Sequence, residues 1–482
     1  DWSSDVALPI CLPSRSASKI VIDATTNSIH IDPKTCFGCG ACVKACKTIA
    51  GQGVLALAPD AKGKKKITVK GGKHLQDTSC VKCGQCTLVC KANAITEKDQ
   101  IAEVQKILKN PGDKVAVCQT APAIRINLSD ALGLPAGTIS TGKMVTALKK
   151  LGFKYVFDTN TTADLTIMEE ATEFVTRLTK GGVLPMFTSC CPAWINYVEQ
   201  SHPDFMPNLS SCRSPMGMLS SVIQQDFAVR KNIQGKLFNV AIMPCTAKKD
   251  EIERPQLREK GYKETDYVIT TRELMRMIKK AKIDFKNLPE SEFDDPYAEC
   301  SGAGAIFCGS GGVMEAAVRT AYYQVTGKNM PNLNLKAVRG VKDGIKFAEV
   351  DIEGTKIKVA VAQGIANAAK LLKMIKSKDP KVEGVKFVEV MACPGGCVCG
   401  GGSTKAKNKK AIEARLEATY KLDSTNKKRC SHENAQVKAL YDRFLEKPNS
   451  HKAHELLHTH FVAHPKRSEE RRVGKECRSR WS

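Results

Sequence analysis

The stretch Phe238-Asn239-Val240-Ala241-Ile242-Met243-Pro244-Cys245-Thr246-Ala247-Lys248 decides the reading of the fold, because a short apolar run there ends directly on a proline and a cysteine. Runs of this length and composition read as strands buried on both faces, the kind found in parallel sheets. The same pattern recurs at Lys114-Val115-Ala116-Val117, Val183-Leu184-Pro185-Met186-Phe187, Ile357-Lys358-Val359-Ala360-Val361-Ala362 and Val385-Lys386-Phe387-Val388-Glu389-Val390. Helical stretches alternate with these runs from Asp113 to about residue 404, so an α/β architecture with parallel sheets is expected. Such sheets bind ligands just outside the carboxyl ends of their strands, and several of these runs end on a cysteine or a glycine-rich loop.

Four cysteines occupy such ends: Cys191 in Thr188-Ser189-Cys190-Cys191-Pro192-Ala193-Trp194, Cys245, and Cys393 with Cys397 in Met391-Ala392-Cys393-Pro394-Gly395-Gly396-Cys397. Thiolates are the soft ligands an iron-sulfur cube requires, and drawing four from three distant segments seats the cube inside the domain. Zinc also accepts four thiolates, but structural zinc normally takes closely spaced pairs.

Upstream lie two runs of identical spacing, Cys36, Cys39, Cys42 and Cys46, then Cys80, Cys83, Cys86 and Cys90. This C-x2-C-x2-C-x3-C spacing wraps a four-iron cubane. A disulfide scaffold is poorly supported in a 482-residue chain without a secretory signal. Both runs fall in a loop-rich module over residues 31–110, held together by its metal. The helical segment Ile101-Glu103-Val104-Ile107-Leu108 ends that module at Asn110-Pro111-Gly112, a turn that marks a boundary.

Residues 405–465 change character, becoming basic and helical, with His432 early and His451, His454, His458 and His460 crowded near the end. Histidines this dense raise metal binding, yet with no accompanying cysteine pair the plainer reading is imidazoles packed against the main domain. Residues 466–482, basic around Cys477, are assigned no structure. Residues 1–30 read as an N-terminal extension without a hydrophobic signal core. Within it, Ser14-Arg15-Ser16-Ala17-Ser18-Lys19 has the composition of a mitochondrial-type presequence or of a disordered lead-in.

At 482 residues the chain should form several domains, since single cores stop growing near roughly 250 to 300 residues. Its 42% hydrophobic content suffices for buried cores. No window approaches the roughly 20 consecutive apolar residues of a membrane span, so a soluble chain with no membrane partner is expected. A net charge of +24 admits an acidic protein partner, nucleic acid or simple solubility. The lysines are scattered apart from Lys64-Lys65-Lys66 and the group Lys405, Lys407, Lys409 and Lys410, and no nucleic-acid-binding signature accompanies them, which argues against nucleic acid. The 21 cysteines imply a reducing, anaerobic compartment, because exposed clusters and thiols oxidise easily.

Taken in order, the three cysteine loops resemble the signature loops of [FeFe] hydrogenases, and the resemblance runs from about residue 31 to 462. It is nearest to the short hydrogenosomal enzymes of anaerobic protists. It implies a ferredoxin-like α+β module with two [4Fe-4S] clusters and then an α/β catalytic domain over residues 111–404, with the active site between two lobes. A small helical carboxy-terminal segment similar to the small subunit follows, carried by Arg429-Cys430-Ser431-His432-Glu433-Asn434 and His454-Glu455-Leu456-Leu457-His458-Thr459-His460.

What the resemblance implies is reversible reduction of protons to H2 with reduced ferredoxin as donor. Electrons would pass through two cubanes, held by Cys36, Cys39 and Cys42 with Cys90 and by Cys80, Cys83 and Cys86 with Cys46. They would reach a third cubane joined to a two-iron unit carrying CO, cyanide and a dithiolate. Matched loop to loop, Cys191, Cys245, Cys393 and Cys397 would hold that cubane, with Cys397 as the bridge. Lys248 falls where the family hydrogen-bonds a cyanide, and Ala121, Pro122, Met243, Phe307 and Met391 match positions that wall the two-iron unit. Cys190 matches the first proton relay, with Glu170, Glu173, Ser210 and Arg177 behind it; the two glutamates and the arginine share one helix face. The implied partners are ferredoxin and the maturation proteins of the two-iron unit, and the implied compartment is the hydrogenosome, with the cytoplasm as alternative.

The sequence departs from the family in places. Ala193 stands where many relatives have Gly and Met216-Gly217 where many have Gln, so one hydrogen bond near the two-iron unit is expected to be missing. Lys, not Pro, follows Cys46 and Cys90. The extra thiols Cys118, Cys212, Cys308 and Cys399 are expected to pack as small apolar residues. Two rival readings remain at this stage. An iron-sulfur assembly factor would keep cluster ligands without the two-iron unit, and the Cys190-Cys191 pair with Lys248 argues against it. A sensory hydrogenase would carry an appended signalling domain, which no segment here resembles.

Overall fold

The computed structural model describes residues 21–258 and 261–464. The readings of residues 14–19 and of the tail 466–482 lie outside the described residues.

The amino-terminal module is built on four short strands, β1 Ile29–Ile31, β2 Leu55–Pro59, β3 Lys65–Val69 and β4 Ile95–Glu97. Strand β1 pairs antiparallel with β4, and β2 with β3. The helix Ala41–Thr48 carries the third and fourth cysteines of the first run, Cys42 and Cys46, and Gln85–Val89 carries the third of the second, Cys86. Gly40 and Gly84 precede them at φ 74° and 68°, left-handed backbone that glycine adopts without strain. The chain can thus turn back between the second and third cysteine of each run. The core of the module, Ile29, Ile31, Leu55, Ile67 and Leu75, packs around the cysteines themselves.

One boundary moves. The extension expected over residues 1–30 is already part of this module from Asp23 onward. Asp23 is buried, its backbone pairs with Ile31, and its carboxylate accepts from Leu75 N at 2.7 Å. A side chain that satisfies a distant backbone amide has to be ordered with it.

The region after residue 110 contributes β5 Val115–Thr120, β6 Tyr155–Asp158, β7 Met186–Phe187, β8 Leu237–Met243, β9 Tyr267–Thr270, β10 Ile345–Ile352, β11 Thr355–Gln363 and β12 Val385–Met391. They form two four-stranded sheets, ordered β6-β5-β8-β9 and β10-β11-β12-β7. The first is wholly parallel; in the second only β10 runs antiparallel. Strand β10 escapes the sequence reading because it is an edge strand with charged residues such as Lys346, Glu349 and Asp351 instead of a continuous apolar run. Of the expected run 183–187 only Met186 and Phe187 pair, since Pro185 has no N–H to give a ladder. Each sheet has its own buried core, and the loops leaving the carboxyl ends of β5, β7, β8 and β12 face one cavity between the two lobes.

The longest described helix, Thr159–Lys180, starts directly after β6. Asp158 caps it by accepting from Asn160 N at 2.9 Å. The carboxy-terminal helices Lys409–Ser424, Ala435–Leu440 and His451–Leu457 wrap the catalytic lobes. Asp423 accepts from both Arg319 and Arg429 in a buried network, the arrangement a buried charge requires. His432 stacks on Tyr323 at 3.8 Å and His458 is buried, whereas His451, His454 and His460 are exposed. No described helix is long and apolar enough to cross a membrane.

Candidate active site

The cavity between the lobes has a volume of about 780 Å³, and Cys191, Cys245, Cys393 and Cys397 all line it. Each thiol is placed by the end of an element. Cys191 is the residue before the helix Pro192–Ser201, whose first position is a proline, a favoured helix start. Cys245 follows β8 and Cys393 follows β12. Cys397 is turned inward by Gly395 and Gly396, both at φ 85°. A Cβ on Gly396 would lie 2.6 Å from the Cys308 carbonyl oxygen, so the loop has no room for a side chain there.

Burial raises all four thiols, Cys245 to about 12 and Cys393 and Cys397 well above the ordinary cysteine value. Thiolates in such a place need cationic metal to neutralise them. Four soft donors from three segments around one apolar cavity fit an iron-sulfur cubane. Ala121, Pro122, Met243, Phe307 and Met391 form the apolar walls, and Ala193 and Met216, two of the positions where the sequence departs from the resembled family, stand on the same walls.

Lys248 is the cation of this cavity. Its Nζ lies 2.5 Å from Glu251 Oε2 and donates to the Cys190 carbonyl at 3.3 Å. Burial works against its charge, but the Glu251 carboxylate and the cavity thiols hold it above the ordinary lysine value.

The amino-terminal cysteines gather in two further cavities. Cys46, Cys80, Cys83 and Cys86 line one of about 390 Å³, and Cys36, Cys39, Cys42 and Cys90 line one of about 330 Å³. Cys83 also lines the large cavity, and Cys42 of the outer set lies within electrostatic reach of Cys86 of the inner set, so the three sites form a chain. At its outer end Cys39 is exposed and Phe37 is 63% exposed.

Cys190 lies in the large cavity beside the four ligand-type thiols. Its thiol is raised well above the ordinary value, first by burial and then by the nearby Glu170 carboxylate. Glu170 is itself buried and pushed up to about 8 by desolvation and by Glu173. Glu173 accepts from Arg177 Nη2 at 2.6 Å, from Ser210 Oγ at 2.9 Å and from Ser211 N at 3.1 Å. Arg177 continues to the Leu209 carbonyl at 2.8 Å. The structure therefore brings Cys190, Glu170 and Glu173 within electrostatic reach of one another, with Ser210 and Arg177 bonded to Glu173, while neither Glu170 oxygen has a hydrogen-bond partner among the described residues.

Several neighbours escape the sequence reading. Glu251 could have been found, because it sits three residues after Lys248 on one helical turn. Thr159, Pro215 and Cys308 line the cavity but carry no local signal. Cys118 is buried in the first sheet's core and Cys308 is buried near Thr419, both as small side chains, while Cys399 is partly buried. Cys212 differs from them, with its Sγ 3.9 Å from Glu173 Oε2.

Comparison with known proteins follows this layout. Residues 35–94 match the 4Fe-4S dicluster domain, residues 114–401 the C-terminal domain of the iron-only hydrogenase large subunit, and residues 409–464 the iron hydrogenase small subunit. The chain is 42% identical to iron hydrogenase 1 of Clostridium pasteurianum over 446 residues, 91% of this chain and 76% of that protein. It is 42% identical to the NADP-reducing hydrogenase subunit HndD of Solidesulfovibrio fructosivorans over 90% of this chain and 74% of that protein. The cytosolic Fe-S cluster assembly factor narfl of Danio rerio is more distant, 31% identical over 74% of this chain and 89% of that protein. Among solved structures, apo HydA1 from Chlamydomonas reinhardtii superposes with a TM-score of 0.67 at 40% identity, covering 75% of this chain and 98% of that one.

Proposed function

The chain belongs to the iron-only, or [FeFe], hydrogenases, which interconvert H2 with protons and electrons, and from that membership we propose that it draws electrons from reduced ferredoxin and moves protons through Cys190. A cubane held by Cys191, Cys245, Cys393 and Cys397, joined to a two-iron unit with CO, cyanide and dithiolate ligands, would supply the iron at which protons and electrons meet. The chain's own residues do the rest. The apolar walls exclude water from the cavity, and the Lys248 ammonium offers a compact donor to an anion bound beside it.

The observation that carries the reading is the position of Cys190 between the cavity and Glu170. A thiol raised this far holds its proton at rest. It can give that proton inward and be recharged by Glu170, whose value of about 8 lies near a working pH. Glu173, bonded to Ser210 and Arg177, would then carry the route on from Glu170. On the electron side, Lys91 lines the outer cysteine cavity, Lys66 reaches the Lys34 and Cys36 carbonyls and Lys65 packs beside Gly38, which gathers cationic residues near the outer cysteines, an arrangement suited to an acidic carrier. The resemblance to short hydrogenosomal enzymes and the many free thiols support a reducing compartment, and we place the chain in the hydrogenosome on that basis.

The test is anaerobic production with and without the maturation proteins, followed by infrared spectra and H2 evolution driven separately by reduced ferredoxin, NADPH and viologen. CO and cyanide bands that appear only after maturation, with turnover on ferredoxin, are expected. Turnover with NADPH but none with ferredoxin would overturn the donor assignment.

A further inference from the structure

Glu173 serves the proposed proton route through Arg177 on one carboxylate oxygen and Ser210 on the other, and beside it stand a thiol and an imidazole that the route does not use. We propose that Glu173, Cys212 and His458 form a binding site for a borderline-soft divalent cation of the Zn²⁺ class, and that filling it closes the proton route at Glu173. The second half of this proposal rests on the relay reading above.

A carboxylate oxygen, the thiol sulfur and an imidazole nitrogen of these residues all lie within 4.8 Å of one another. Zinc bonds of roughly 2.0 to 2.3 Å put tetrahedral donors about 3.5 Å apart, so the three need to close by about 1 Å. Carboxylate, thiolate and imidazole together are a donor set that zinc accepts, with a fourth position left to water.

The backbone fixes the thiol beside the imidazole. Cys212 and His458 form an antiparallel bridge, with Arg213 N donating to the Leu457 carbonyl and Thr459 N to the Ser211 carbonyl, each at 2.8 Å. The third donor arrives from the helix Thr159–Lys180. Three separate segments thus converge, one of them from the carboxy-terminal helices.

The imidazole is already oriented as a ligand. His458 Nε2 lies 3.0 Å from Glu169 Oε2, and Glu169 is fully buried and held by the Tyr441 hydroxyl and by Asn449 N. A carboxylate facing one ring nitrogen is the arrangement that orients most histidine ligands to metals. The other nitrogen, Nδ1, meets only the Ser211 hydroxyl at 2.8 Å, a neutral partner that a cation can displace. Arg177 holds Glu173 Oε1, while Oε2 faces Cys212 at 3.9 Å and accepts from Ser210 Oγ at 2.9 Å and Ser211 N at 3.1 Å, so a metal bound through Oε2 would compete with those two neutral donors. Cys212 also lines a cavity of about 390 Å³ with Ser214, Thr459 and His460, which shares Pro192 with the cavity of the iron ligands.

The experiment uses the matured enzyme with its clusters loaded. Zinc sulfate is added anaerobically, bound zinc is located in crystals by anomalous scattering at the zinc edge, and H2 evolution is titrated in parallel. One zinc at the three residues, with loss of rate reversed by a chelator, is expected. Cys212→Ala and His458→Gln, each compared with its own metal-free rate, should weaken inhibition at least tenfold, and Glu169→Gln by roughly 10 to 100-fold as a partner that orients the ligand. Anomalous signal elsewhere only, or inhibition unchanged in all three variants, would overturn the site. Zinc bound at the site with the rate unchanged would leave the site standing and overturn both the closure and the relay through Glu173.

Discussion

The Thr246 hydroxyl donates to the Lys82 carbonyl at 2.8 Å, which ties the residue after Cys245 to the residue before Cys83. This contact is one of those that join the amino-terminal module to the α/β lobes, with Thr87 Oγ1 donating to the Gly401 carbonyl and Arg272 pairing with Glu97, and Gly84 is packed into it. A Cβ on Gly84 would come within 2.3 Å of Thr246 Oγ1 and 3.0 Å of Gly401 Cα, at a φ of +68°. Gly84→Ala therefore combines a left-handed penalty of about 1–2 kcal/mol with overpacking of about 1–3 kcal/mol. The substitution should lower thermal stability and slow ferredoxin-driven turnover more than viologen-driven turnover. A variant as stable and as fast as the parent would show that the junction tolerates separation.

Glu170 has a pH signature that can be read without turnover. Its carboxyl is raised from 4.5 to about 8 by burial and by Glu173, so the folded protein holds a proton that the unfolded chain releases. Stability from this group is fully present below about pH 4.5 and is lost as pH rises through about 8. Denaturant midpoints measured from pH 5 to 8 should fall more steeply for the parent than for Glu170→Gln, which cannot ionise. Turnover of the same variant should drop by roughly 10² to 10⁴, the range of a lost proton-transfer group. Parallel pH curves for the two proteins would rule out a protonated Glu170.

The two halves of the site differ in how far sequence alone reveals them. Cys191, Cys245 and Cys393 each follow an apolar run, so strand period and strand end together announce them. Glu170, Glu173 and Arg177 are legible as one face of a helix. The surroundings of Glu169 are not, because His458 reaches it across 289 residues of sequence and no local pattern encodes that meeting. Cys212 likewise reads as a small apolar residue until the fold sets it beside Glu173. Strand β10 was lost for a related reason, since an edge strand with a polar face lacks the continuous apolar run that marks its neighbours.

Lys248 and Glu251 form a buried pair at 2.5 Å, and Glu251 also accepts from Ser214 Oγ at 2.6 Å. Removing one member of a buried pair leaves the other charge without compensation, at a cost of about 3–5 kcal/mol. Lys248→Met should be destabilised by that order, and Lys248→Met with Glu251→Gln should recover most of the loss in chemical denaturation. The double variant should remain impaired in H2 evolution, with the cyanide bands of its infrared spectrum displaced. Full activity in the double variant would show that the ammonium serves only Glu251.

The lysines around the outer cysteines make a prediction that salt can separate from folding. Lys66 Nζ donates to the Cys36 carbonyl at 2.7 Å and is needed locally, but the Lys34 and Lys65 side chains are exposed near Cys39. Exposed charges act through long-range steering, which changes association rates by roughly 1 to 3 decades within one interface. Lys34→Glu with Lys65→Glu should therefore slow ferredoxin-driven H2 evolution at low ionic strength. The gap should shrink towards 1 M salt, where the screening length falls to about 3 Å. Viologen-driven turnover does not depend on docking and should keep the parent's salt profile. If ferredoxin-driven and viologen-driven rates fell together, the substitutions would be disturbing the cluster and not the approach of an acidic carrier.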